Sequence, residues 1–240
     1  MVFPAGSSYN NMDGHLCPRW EVFSLERICH IIGAGPFCQW GPEPQPGDLV
    51  IAADGGYAHL ARWELRADAV IGDFDSGPMP AHPQVIRLPR EKDVTDTWAA
   101  AQLGRERGYR VFHLYGGLGG QLDHTLANIQ LLCHMADLGD QGYLVDDQLV
   151  VTAIANGRCV LPPALQGRVS VFAQGGEATG VTLSGFQYPL EEAILSPTMP
   201  LGVSNEALGA PSWVQVREGR LVILYPRLGP TGWSCQFLSL

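Results

Sequence analysis

Five carboxylates sit at spacings that suit chemistry: Asp73 and Asp75 in Gly72-Asp73-Phe74-Asp75-Ser76, Asp93 and Asp96 in Lys92-Asp93-Val94-Thr95-Asp96, and Asp123 after the run Gly116-Gly117-Leu118-Gly119-Gly120. Asp73 and Asp75 close an apolar run, Ala69-Val70-Ile71, that reads as a buried strand. Residues two apart on an extended chain point to one side, so this pair offers two hard anionic ligands where the strand opens into a loop. That set suits Mg²⁺, which keeps several waters and takes one or two carboxylates plus substrate phosphates. Asp93 and Asp96 precede a helical pattern from Trp98 onward. Asp93 is placed to cap the Asp96 amide, and Lys92 is placed to neutralise a phosphate oxygen. A single Asp-x-Asp is most often a polar turn with a helix cap. Three such runs at the ends of successive strand-like segments point instead to a metal and phosphate site.

The glycine run lies between a strand pattern, Val111–Tyr115, and a helical pattern from Leu122, where bare amides and a helix N-terminus attract phosphate. It matches neither the P-loop spacing nor Gly-x-Gly-x-x-Gly, and alone it is compatible with a tight turn. Gln121, Asp123 and His124 flank it, and an Asp-His pair at a helix start also serves as an ordinary cap.

Strand-like and helix-like runs alternate around these motifs. Ile28–Gly33, Leu49–Ala53, Ala69–Ile71, Val85–Leu88, Val111–Tyr115 and Tyr143–Val145 read as strands, and Gly56–Leu65, Thr95–Arg107 and Leu122–Leu138 as helices. The pattern predicts an α/β fold with a doubly wound, mostly parallel sheet. Ligands in such folds collect past the carboxyl ends of the strands, and Asp54-Gly55-Gly56, the Asp73 motif and the glycine run all fall there. Beyond about Asn156 helical periodicity gives way to short β-branched runs punctuated by glycine and proline, which predicts a small all-β sandwich or barrel domain. Glu218-Gly219, between Trp213–Arg217 and Arg220–Tyr225, reads as a hairpin turn. The expected organisation is an N-terminal extension over residues 1–26, a catalytic domain over 27–156 and a β-rich domain over 157–240.

Composition narrows the class. With 46% hydrophobic and 16% charged residues in a 240-residue chain, a folded protein with a sizeable core is expected. No apolar stretch approaches the roughly 20 residues of a membrane span. A net charge of −9 excludes the basic footprint of a nucleic-acid surface, so a polyanionic substrate would be met by a local cation. Lysine occurs once, at Lys92. The six cysteines form no Cys-x-x-Cys pair, which argues against structural zinc and fits reduced thiols in a cytoplasm. Residues from Met1 to about Glu26 lack the charged and apolar regions of a secretory signal.

Taken in order, Ala53-Asp54-Gly55-Gly56, GDFDS at 72–76, KDVTD at 92–96, GGLGGQLDH at 116–124, LVDDQ at 144–148 and GVSNE at 202–206 resemble the bacterial thiamine pyrophosphokinase family. GFQYPL at 185–190 resembles the strand preceding the SNE motif. The resemblance runs from about residue 28 to the C-terminus. It implies Mg²⁺-dependent transfer of diphosphate from ATP to thiamine by a homodimer, with thiamine held where one subunit's catalytic domain meets its partner's β domain. On that basis Asp73, Asp75 and Asp96 hold the metal, and Asp93 supports them. Asp54, Gly55, Gly56, Lys92, Gly117, Gly119, Gly120, Gln121, Asp123 and His124 serve the nucleotide, and Tyr188, Ser204 and Asn205 serve thiamine. Gln121 departs from the arginine usual in the family, exchanging a permanent cationic fork for a neutral amide. Two further readings keep the site: a pyrophosphotransferase acting on another alcohol such as a pterin, and a catalytically silent nucleotide or vitamin sensor.

Overall fold

The computed structural model describes residues 26–75 and 79–240. The expected extension over 1–26 therefore lies, residue 26 apart, outside the described residues, as does Ser76. Largely apolar runs form β1 (Ile28–Ile32), β2 (Leu49–Ala53), β3 (Ala69–Gly72), β4 (Val85–Arg87), β5 (Val111–Tyr115) and β6 (Gln141–Val145). These strands pair in parallel in the order β6-β5-β1-β2-β3-β4, with Ile32 opposite both Ala52 and Tyr115. A parallel strand covered on both faces is buried along its length, as Leu-Val-Ile-Ala-Ala and Val-Phe-His-Leu-Tyr are at every position, His113 included.

Alternate residues divide between two cores. Ile32, Val50, Ala52 and Val70 pack with Leu60 of the short helix α1 (Tyr57–Arg62) on one face. Ile31, Ile51, Ala53 and Ile71 share the other with Ala100 and Ala101 of α2 (Asp96–Glu106) and Leu131 and Met135 of α3 (Leu122–Asp137). α2 starts at Thr95, whose Oγ1 accepts from Trp98 N at 3.2 Å. The cap is thus Thr95 and not Asp93, because Asp96 already occupies the first helical position and the N-cap side chain must reach an amide two or three residues on.

The remaining strands are β7 (Leu149–Ala155), β8 (Gly157–Val160), β9 (Gln166–Ala173), β10 (Ala178–Ser184), β11 (Leu190–Leu195), β12 (Asn205–Leu208), β13 (Trp213–Gln215), β14 (Arg220–Pro226) and β15 (Gln236–Ser239). β7 pairs antiparallel with β6 and carries β14, β9 and β12 after it, so the large sheet has ten strands in the order β12-β9-β14-β7-β6-β5-β1-β2-β3-β4. The other five form an all-antiparallel sheet, β11-β10-β13-β8-β15. Its Cys159, Val181, Leu183 and Val214 share one core with Val169, Val171, Ile223 and Tyr225 of the large sheet. The two sheets pack face to face, one layer being the continuation of the parallel sheet, so strands from before and after residue 156 pair in one sheet.

The expected hairpin at Glu218-Gly219 does not form. β13 pairs with β8 and β10 in the small sheet, and β14 pairs with β7 and β9 in the large one. Gly219, at φ 104°, donates its N–H to Asn156 Oδ1 at 2.9 Å and carries the chain from one layer to the other. The turn residues are those of a hairpin because the local backbone demand is the same; the partner of each strand is set by burial across the sandwich.

Candidate active site

Strand order reverses between β1, which leads outward to β2, β3 and β4, and β5, which leads the opposite way to β6. The loops leaving these two neighbours diverge and open a crevice at the carboxyl edge, the position where open α/β sheets bind ligands. Here they are Gly33-Ala34-Gly35-Pro36 and Gly116–Gly120. They are tied by Gly33 N to Tyr115 O at 2.8 Å and Gly35 N to Gly116 O at 3.0 Å. A Cβ on Gly35 would stand 2.4 Å from Gly116 O, and one on Gly116, which has φ 65°, would stand 2.5 Å from Gly33 O. Only bare backbone fits.

Buried Asn128 on α3 fixes the second loop, donating Nδ2–H to Gly117 O at 2.9 Å. The segment beyond the first loop is held by Asp147, whose carboxylate accepts from Gln39 N at 2.7 Å and Trp40 N at 2.9 Å. The crevice is a cavity of about 810 Å³ lined by Ala34, Gly35 and Pro36, the glycines of the second loop, Gln121, His124 and Asn128, and on its far wall by Asp54, Asp73, Asp75, Lys92, Thr95, Asp96 and Thr97. Gln121 is the N-cap residue of α3, yet its side chain makes no capping bond and stays available to the cavity.

Two strand ends and a helix start bring the acidic wall together. Asp54 follows β2 in a 3-10 turn (Asp54–Gly56) with φ 46°, Asp73 follows β3, and Asp96 opens α2. One carboxylate oxygen from each lies within 4.8 Å of the others. Glycine makes this approach possible. A Cβ on Gly72 would meet Asp54 Cα at 3.1 Å, and one on Gly56 would lie 1.9 Å from Ile32 O. Gly55 and Gly56 accordingly do not line the cavity but let the Asp54 turn tuck against β1.

Lys92 bridges the group, with Nζ 2.6 Å from Asp73 Oδ2 and 3.0 Å from Asp96 Oδ1. The Lys92 hydrogen bond holds the Asp73 carboxyl below its usual range. Burial pushes Asp96 up, and the neighbouring charges of Asp73 and Asp54 add to this while Lys92 opposes it. Burial also works against the Lys92 ammonium, but its bonds to Asp73 and Asp96 outweigh that and keep its pKa raised. Asp96 Oδ1 is buried and, apart from that ion pair, has no hydrogen-bond partner. Three hard oxygen donors with one under-satisfied buried oxygen fit a divalent cation such as Mg²⁺.

Other expected site residues fall elsewhere. Asp75 reaches the cavity rim, where Arg90 Nε lies 3.5 Å from its Oδ2, and it stands outside the compact trio. Asp93 is exposed and does not line the cavity. Asp123 is exposed and turns Oδ1 to His124 N at 2.9 Å, so it caps its own helix turn. Tyr188, Ser204 and Asn205 come together in a second cavity of about 260 Å³ with Leu183, Leu190, Leu201 and Val203. Asn205 is buried and clasps the Tyr188 backbone, accepting from its N–H at 3.0 Å and donating to its carbonyl at 2.7 Å. Ala34, Gly35, Pro36, Thr97 and Asn128 were not anticipated from sequence, and Asp147 entered there only within the LVDDQ run at 144–148. The Gly-Ala-Gly-Pro run after β1 is the signal that marks the first loop, whereas nothing local singles out Asn128.

These features define an α/β protein with a glycine-walled crevice and a group of three carboxylates at the switch point of its sheet. Residues 45–141 match the family model "Thiamin pyrophosphokinase, catalytic domain", and residues 160–221 match "Thiamin pyrophosphokinase, vitamin B1 binding domain". A crystal structure of thiamin pyrophosphokinase from Geobacillus thermodenitrificans is similar at 30% identity and TM-score 0.71, covering 84% of this chain and 98% of the other. The Bacillus subtilis (strain 168) thiamine pyrophosphokinase is 27% identical over 184 residues, 73% of this chain and 86% of that protein. A crystal structure of thiamine pyrophosphokinase from Bacillus subtilis superposes with TM-score 0.75 over 84% of this chain and 100% of the other, at 24% identity. The chain belongs to the thiamin pyrophosphokinase family.

Proposed function

We propose that this protein transfers diphosphate from ATP to the hydroxyl of thiamine, giving thiamine diphosphate and AMP. The observation that carries the reading is the carboxylate group of Asp54, Asp73 and Asp96 facing the glycine loops across one cavity, in a chain matched by both the catalytic and the vitamin B1 binding family models. The amides of Gly117–Gly120 cradle the phosphates, and Gln121 and His124 offer further donors at the helix start. Asp54, Asp73 and Asp96 hold Mg²⁺. When bound, the metal draws charge off the phosphate oxygens and orients the β-phosphorus. Lys92 neutralises an adjacent oxygen. The thiamine hydroxyl attacks the β-phosphorus in line as the bond to the α–β bridging oxygen breaks. Such transfers depend chiefly on alignment and charge stabilisation, which this wall of fixed groups supplies without a strong base.

The second cavity, walled by Tyr188, Leu201, Val203 and Ser204, receives the thiamine rings, and its match to a vitamin B1 binding model weighs against a pterin acceptor. We place the working enzyme in the cytoplasm as a homodimer that shares its sites. No helix among the described residues is long and apolar enough to cross a membrane.

The test is incubation of the purified protein with ATP, Mg²⁺ and thiamine, following nucleotide and vitamin products together. AMP and thiamine diphosphate should appear in equal amounts. ADP with thiamine monophosphate would replace diphosphate transfer by single phosphoryl transfer, and turnover of ATP only with another alcohol would overturn the acceptor.

A further inference from the structure

The single lysine of the chain stands inside the carboxylate group, not at the surface. Lys92 is 14% exposed, and its Nζ contacts Asp73 Oδ2 and Asp96 Oδ1. Arg90, by contrast, is 82% exposed and reaches Asp75 at the rim. Three carboxylates with oxygens within 4.8 Å of one another repel, and in a partly buried wall that repulsion is poorly screened. The Lys92 charge is what keeps Asp73 and Asp96 aimed inward. The carboxylates it engages, Asp73 and Asp96, belong to the same trio that a divalent ion needs. Asp96 Oδ1 in particular is buried with no partner besides Lys92, and an ammonium and a metal ion gathered on one carboxylate repel each other. An ammonium on a four-carbon stem has three rotatable donors and can leave one partner for another, which a guanidinium fork does less readily.

We propose that Lys92 is an exchangeable internal cation: it holds the Asp54, Asp73 and Asp96 group in binding geometry before a divalent ion arrives, and gives up its carboxylate contacts, turning toward the phosphate cavity, when the ion enters. This rests on the metal reading above and goes beyond it by making Lys92 a positioning residue that competes with the metal. Affinity for a divalent ion alone is then held down by the lysine. It rises when phosphate offers the ammonium a new partner, a reciprocal coupling between metal and nucleotide.

Two measurements test this without turnover. Mn²⁺ binding in the absence of nucleotide, followed by electron paramagnetic resonance, should be tighter in Lys92→Met than in wild type by roughly fivefold or more, the lower end of typical coupling between sites. Lys92→Met should also melt at a lower temperature in EDTA and recover on addition of Mn²⁺. The second measurement uses the wild-type protein, so it stands even if the variant folds poorly. With lysine-selective isotope labelling, the one side-chain ammonium signal should move saturably during a Mg²⁺ titration, with the midpoint of ion binding. Equal or weaker Mn²⁺ binding by a folded Lys92→Met, or a lysine signal that stays fixed while Mg²⁺ binds, would overturn the exchange and leave a static salt bridge. Failure of wild type to bind either ion would remove the metal site itself. Exchange observed in a protein that makes no thiamine diphosphate would leave this inference standing and sink the acceptor assignment.

Discussion

Asp54 holds a left-handed backbone, φ 46°, that a non-glycine residue adopts only at a cost of about 1–3 kcal/mol, and Phe74 between the two motif aspartates does the same at φ 56°. One such residue on the cavity wall and another between two residues that line it indicate that surrounding contacts impose their geometry. For Asp54 the outcome is a carboxylate turned toward Asp73 and Asp96. Sequence reading found Asp73 and Asp96 because each sits in a dense acidic run, but it grouped Asp54 with the phosphate-binding glycines. Only the pairing of β2 beside β3 puts Asp54 next to Asp73. Asp54→Asn and Asp73→Asn should each lower kcat by about 100-fold or more, the scale for losing a fixed charge-stabilising group, with the melting temperature preserved. Asp75→Asn should lower it distinctly less. Steady-state kinetics at saturating Mg²⁺ decides the ranking, and equal losses at positions 54 and 75 would return Asp75 to the metal group.

At the scale of elements, the site is built from loop pairs whose backbones touch. Gly35 and Gly116 are the tightest case. Gly35→Ala should displace the β1 loop from the β5 loop, and a shift near 1 Å is enough to cost about 100-fold in turnover when alignment carries the reaction. Gly176→Ala is the matched control, since a Cβ there meets nothing within 4 Å. It should change stability by less than about 0.5 kcal/mol and leave kcat unaltered. Comparable losses in both variants would mean that the loop contact does not position the phosphates. Strands and helices here were legible because their burial demands distinct patterns: largely apolar runs for β1 to β3 and β5, helical spacing for α2 and α3. Asn128 was not, since a lone buried amide looks ordinary until the loop it clamps is in place, and Asp147 was legible only as part of the LVDDQ run. Register and strand partner were illegible for the same reason at Glu218-Gly219, where turn chemistry says that the chain bends and not which layer it joins.

Across the whole molecule, one sheet joins the parallel strands that build the first cavity to the antiparallel strands whose edge carries the second. The rim of that second cavity is apolar and open: Tyr188 is 61% exposed, Leu201 52% and Val203 40%. It lies beside β12, the last strand of the ten, whose outer side is met by a single bridge from Phe186 to Ala207, and exposed apolar groups at such an edge call for a cover. A second copy of the chain supplies one if each protomer's thiamine cavity is completed by its partner's carboxylate wall. Complementation distinguishes this arrangement from a site contained within one subunit. Asp73→Asn damages the metal wall, and Tyr188→Ala removes an exposed cavity side chain without breaking the clasp that Asn205 makes with the Tyr188 backbone. Each variant alone should be nearly inactive. After subunit exchange at equal amounts, about half the dimers are mixed, and in each of those one site carries both lesions while the other carries neither, so activity should return to roughly a quarter of wild type. Exchange itself is verified by native mass spectrometry of differently tagged subunits. Verified mixed dimers without recovered activity would place Asp73 and Tyr188 in the same subunit's site, and a protein that stays monomeric at assay concentration would remove the shared arrangement altogether.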